Sequence, residues 1–90
     1  TISLRLTVAE GFHLRVAGEF ARIAQSFGGV VSIMRNGKVV ADGKSIFSIL
    51  AAGIEAGAQI TIHTTGPRAD FVIRELARVV NPDEDIVASL

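Results

Sequence analysis

Ile2, Leu4, Leu6 and Val8 alternate with Ser3, Arg5 and Thr7, the period of a strand with one buried face. The alternation stops at Gly11. Beyond it Val16, Phe20, Ile23, Ala24 and Phe27 recur at helical spacing and form one apolar stripe. Gly28-Gly29 then ends that helix. Val30–Arg35 and Lys38–Asp42 are β-prone runs on either side of Asn36-Gly37, a dipeptide that favours a two-residue hairpin turn because both residues tolerate positive φ. Residues 43–53 read as a short helix, with Ser45 at its N-cap and Gly53 just past its end. Residues 59–64 alternate again, Ile60 and Ile62 facing inward and Thr61 and His63 outward. Gly66-Pro67 opens a third helix with the stripe Ala69, Val72, Ile73, Leu76, Ala77 and Val80, and Asn81-Pro82 closes it.

The order is β-α-β-β-α-β-α. Four strands with alternating faces and three helices with one apolar stripe each predict an α+β fold, an antiparallel sheet covered on one face only. One domain spans residues 1–90, with its core at about 2–80 and a tail that turns acidic and then apolar over residues 83–90. Arg68, Arg74 and Arg78 fall on what reads as the solvated face of the third helix.

Composition narrows the chemistry. Without cysteine, neither disulfides nor a thiolate metal site is available, and the fold must rest on its hydrophobic core. Nine basic residues balance nine acidic ones, which argues against non-specific binding to nucleic acid or to a charged membrane surface. The five phenylalanines are not interleaved with basic residues as a base-stacking platform requires. No apolar run approaches a membrane span, no leader pattern stands at the start, and a cytoplasmic domain is the simplest expectation. Neither metal-ligand spacing nor a glycine-rich nucleotide loop is present, and no cofactor is expected. The chain starts at Thr1, consistent with processing or with a piece of a longer polypeptide.

His13 is the candidate reactive group. It lies in Gly11-Phe12-His13-Leu14-Arg15, where the strand pattern gives way to the helical one. A histidine at a helix mouth can act as a nucleophile beside unpaired backbone N–H groups and the positive end of the macrodipole. Arg15 adds a planar cation suited to phosphate. A second cluster follows at Lys44-Ser45-Ile46-Phe47 and Leu50. A helix this short cannot bury every side, so part of its apolar surface should remain exposed for docking.

Together these segments resemble the HPr family, the histidine-containing phosphocarriers of the bacterial sugar phosphotransferase system. Residues 11–15 look like the family's phosphorylation loop. Lys44-Ser45-Ile46-Phe47 with Gly53 looks like its second signature, around a regulatory serine, and the element order agrees from residue 2 to about 80. The resemblance implies an open-faced β-sandwich that works as a monomer. It also implies that His13 takes a phosphoryl group, on its δ1 nitrogen, from phosphorylated enzyme I, which obtained it from phosphoenolpyruvate. The group then passes to enzyme II components, chiefly the A component, for sugar uptake. Such a protein is a stoichiometric relay more than a true enzyme. Arg15 would balance phosphate charge, the backbone N–H groups of Val16 and Ala17 would cap the site, and Phe12, Ile46, Phe47 and Leu50 would meet partners. One position departs from the pattern: the family usually has proline where this chain has Val16, which restores a backbone donor and loosens the helix start. Two alternatives remain open. One is a regulatory module that signals carbon status to a transcriptional regulator, with Ser45 the target of a serine kinase. The other is one domain of a larger phosphotransferase fusion.

Overall fold

The computed structural model describes residues 1–9 and 11–82. Seven elements follow in order: β1 (Ile2–Arg5), α1 (Leu14–Gln25), β2 (Val30–Arg35), β3 (Lys38–Asp42), α2 (Ile46–Ala51), β4 (Gln59–Thr65) and α3 (Ala69–Val80). The strands form one antiparallel sheet in the order β1-β4-β2-β3. Leu4, Val31, Ile33, Ala41, Ile60 and Ile62 project from one side into a core shared with Val16, Phe20 and Ala24 of α1, Ile49 of α2, and Val72, Leu76 and Val80 of α3. Ser3, Arg5, Ser32 and His63 alternate with them on the uncovered side. The expected one-sided sandwich is therefore the observed architecture.

Local chemistry accounts for most element boundaries. Asn36 and Gly37 both take positive φ, at 52° and 77°, so the β2–β3 hairpin closes through the turn that its dipeptide favours. The α1 and α2 ends bond back through the N–H groups of Ser26 and Ala52. Past α1 the chain must run hard against β4. A Cβ on Gly29 would lie 1.8 Å from the Thr65 carbonyl oxygen, so only glycine fits there.

The structure corrects the expected boundaries in several places. β1 ends at Arg5 instead of continuing to Val8, because the next N–H groups find other partners. Leu6 donates to the Ala58 carbonyl at 2.9 Å, and Thr7 and Val8 both turn to the carbonyl of Val80 at the end of α3. That carbonyl has no acceptor role left within its helix, and the β1 exit supplies its donors. Phe27 was expected on the α1 stripe but lies two residues beyond Gln25, and it is buried all the same. α2 is confined to Ile46–Ala51, and β4 runs one residue further than the alternation suggested.

Asn81 is more than a helix stop. Buried among apolar neighbours, its amide donates to the Arg5 carbonyl at 3.1 Å and accepts from the Thr7 hydroxyl at 3.1 Å, tying the end of α3 to the β1 exit. The arginines expected on one solvated face of the third helix differ. Arg68 precedes the helix at φ 64° and lies 5.1 Å from the Phe71 ring centroid. Arg74 is half-buried, with an Nε that makes no hydrogen bond. The expectation for the tail at residues 83–90 lies outside the described residues.

Candidate functional site

His13 is the N-cap of α1, with extended backbone at φ −78° and ψ 168°. Its carbonyl accepts from the Ala17 N–H at 2.8 Å, the first hydrogen bond of the helix. Its side chain makes no capping bond and is exposed. The imidazole is therefore presented to solvent by a fixed backbone, beside the helix end where partial positive charge accumulates.

The same hydrogen bond corrects the expected backbone donors. Ala17 N–H is already committed to His13, so it does not cap a phosphate. Helix geometry instead leaves the first three helical residues, Leu14, Arg15 and Val16, without a carbonyl one turn earlier inside the helix. The expected donor Val16 is among these three residues, and Ala17 is not. Val16 has only its backbone to offer, because its side chain is 1% exposed and packs in the core.

Arg15 points outward, and its guanidinium lies 4.0 Å from the Glu19 carboxylate one turn on. Both side chains are about half exposed or more, at 64% and 47%, so this pair adds little to stability and can rearrange around an arriving anion. Among the described residues, no group of three or more His, Cys, Asp or Glu is placed to hold a metal ion.

The four apolar residues expected to meet partners separate in space. Phe12 is 5% exposed, and its ring meets that of Phe20 edge-on at a centroid distance of 5.3 Å. It is a core residue that anchors the loop, which corrects its assignment to docking: its neighbour His13 faces out because Phe12 faces in. Ile46 and Leu50 are half-buried against the core, while Phe47 is 85% exposed. Leu14, 61% exposed and next to His13 in the chain, is a further apolar side chain at the surface and was missed. The signal was available: Leu14 stands off the stripe defined by Val16, Phe20 and Ala24, so it could not share their burial.

Ser45 is the N-cap of α2, its hydroxyl oxygen accepting from the Ser48 N–H at 3.1 Å. Ser48 in turn accepts from the Asp42 N–H, and Asp42 from the Lys44 N–H, so the β3–α2 corner is laced by side-chain to backbone bonds. Replacing Ser45 by alanine is expected to cost about 1 kcal/mol. Chemical denaturation of the two proteins measures that difference, and an unchanged midpoint would contradict the cap.

A small α+β domain that holds one exposed histidine at a helix mouth, with an arginine two residues on, has the makings of a group-carrying module. Comparison with known proteins agrees. Residues 1–82 match the family described as the PTS HPr component phosphorylation site. The phosphocarrier protein HPr of Vibrio cholerae is 30% identical over 78 residues, covering 87% of this chain and 91% of its own. The crystal structure of a phosphocarrier protein HPr from Bacillus anthracis superposes with a TM-score of 0.81 at 31% identity, covering 89% of this chain and 94% of that one. The multiphosphoryl transfer protein of Xanthomonas campestris is 32% identical over 71 residues, which make up only 8% of its length. That match fits the alternative of a domain within a larger phosphotransferase. The chain belongs to the HPr family, the histidine-containing phosphocarriers of the phosphotransferase system, and carrying phosphoryl groups in that system is its function.

Proposed function

We propose that His13 is the phosphoryl acceptor of this carrier, taking the group from phosphorylated enzyme I and giving it to the A component of an enzyme II. The observation that carries this reading is the side chain of His13, exposed and uncommitted to capping at the N-terminus of a twelve-residue helix. The lone pair of imidazole Nδ1 forms the bond to phosphorus, while the bond from phosphorus to the donor breaks and the donor keeps its electron pair. The new phosphoryl oxygens meet the N-terminal end of α1, and Arg15 offsets their charge. At an exposed site the helix dipole contributes ~0.3–1 kcal/mol, enough to orient the group without trapping it. A carrier needs that balance, since it must release what it accepts. The test is to map the acid-labile phosphoryl group after enzyme I labelling, using proteolysis in alkali, where phosphohistidine survives. The label is expected in the peptide containing His13; label at His63 would overturn the assignment.

Leu14 and Phe47 supply the docking surface of this reading. Neither is needed by the core, so truncating Phe47 to alanine should leave thermal stability nearly unchanged. An aromatic anchor at an interface is commonly worth more than 1 kcal/mol, so the KM of enzyme I for the carrier is expected to rise about tenfold. Steady-state phosphorylation kinetics at graded carrier concentration measure this. An unchanged KM would remove Phe47 from the docking surface.

The second partner class, a serine kinase or transcriptional regulator acting through Ser45, is a further proposal on the same chain. A phosphate on Ser45 would add negative charge where the hydroxyl now accepts a hydrogen bond from Ser48, beside the α2 surface that partners would meet.

A further inference from the structure

Taking His13 as the phosphoryl acceptor, we propose that residues 53–58, the segment that follows α2, set its position, and that Gly11 is the positioning residue through which they act. The backbone before His13 is held at two successive residues. Phe12 N–H donates to the Ile54 carbonyl at 3.0 Å. Gly11, at φ +66°, presses against the same segment: a Cβ there would stand 2.7 Å from the Ala56 nitrogen and 3.0 Å from the Glu55 Cα. Its own N–H turns back to the Val8 carbonyl at 3.0 Å. Both the conformation and the space at position 11 therefore require glycine.

The segment it leans on is itself pinned. Gly57 N–H donates to the Leu6 carbonyl at 2.8 Å, Leu6 N–H donates to the Ala58 carbonyl at 2.9 Å, and Ala58 N–H closes a turn onto Glu55. Ile54 is buried, as is Phe12. The nearest atoms that a Cβ at Gly11 would meet are thus fixed backbone, not a side chain that could swing aside. The segment starts directly after α2, whose C-cap is Ala52, so Ile54 lies three residues beyond Ala51. A partner that loads α2 is therefore connected to His13 through Ile54 and Phe12, and the connection fixes where the imidazole stands relative to the start of α1.

An L-residue at position 11 must displace either the loop or residues 53–58, and either shift moves His13. The test is steady-state phosphorylation of the whole chain by enzyme I, comparing wild type with Gly11→Ala. The turnover rate at saturating carrier is expected to fall tenfold or more, with KM within twofold of wild type. A merely destabilising change behaves differently, because an unfolded fraction lowers the effective carrier concentration and so raises the apparent KM while the saturated rate survives. Should Gly11→Ala fail to fold, a chain assembled by ligation with an ester in place of the Phe12 amide removes the donor of the bond to Ile54 and leaves every side chain in place. That chain is expected to lose three- to tenfold in saturated rate. An unchanged saturated rate in a folded variant, whether or not KM rises, overturns the proposal. If wild type takes up no label at all, the assignment of His13 falls, and this inference with it. A labelled wild type with undiminished variants defeats the inference alone.

Discussion

Substituting His13 by alanine is expected to remove acid-labile phosphorylation entirely, taking the rate with enzyme I and phosphoenolpyruvate to the background of a reaction without carrier. The remaining histidine is not placed to take over. His63, the second histidine, sits half-buried on the uncovered side of β4 and has no helix N-terminus to receive the phosphoryl oxygens. The fold should not notice the change. The His13 side chain makes no capping bond and is exposed, so the variant should unfold within about 0.5 kcal/mol of wild type. Loss of labelling together with an unchanged unfolding midpoint is the signature of a reactive group on an indifferent scaffold. Residual labelling in the variant would place the acceptor elsewhere.

Phe20→Ala should do the reverse, and do it through stability. Phe20 is fully buried in α1, its ring meets Phe12 edge-on, and it lies against the close approach of Gly43 to Val31. Removing a buried phenylalanine costs about 3–5 kcal/mol, while a domain of this length holds roughly 5–10 kcal/mol in all. Calorimetry is expected to show a melting temperature lowered by well over 10 °C. Because Phe12 rests on Phe20, the His13 loop loses its seat at the same time. Labelling below the melting temperature should fall as well, in contrast with a core truncation on another helix, such as Leu76→Ala on α3. Equal labelling of the two core variants at matched folded fraction would show that the loop does not depend on the Phe12–Phe20 contact.

Much of this arrangement was legible in the pattern of residues. The strand and helix periods carry it, since each element needs one face buried, and Asn36-Gly37 and Ser45 do locally what their chemistry favours. His13 and Arg15 were legible for a similar reason: a helix start can be read from its flanks, and a helix start is where an anion is held. What escaped was set by contacts distant in sequence. β1 stops early because Val80, some seventy residues later, offers a carbonyl to Thr7 and Val8. Phe12 looks like an exposed loop residue until the Phe20 ring meets it and the Ile54 carbonyl holds its N–H. The choice of backbone donors needed only the register of the helix. Once His13 is the N-cap, Ala17 N–H must belong to the helix, and the expectation at Ala17 lies one residue too far along. Gly11 could be marked as a glycine, but the backbone of Glu55 and Ala56 that makes it obligatory is visible only in three dimensions.

The central claim is that this chain carries a phosphoryl group on His13. The most direct measurement is the intact mass of the chain after incubation with phosphoenolpyruvate and enzyme I from the same organism, taken before and after mild acid. A gain of one phosphoryl group that acid removes, and that the His13→Ala chain never acquires, is the predicted result. A folded wild-type chain that gains nothing beside an enzyme I that phosphorylates itself, or that gains an acid-stable group, would contradict it.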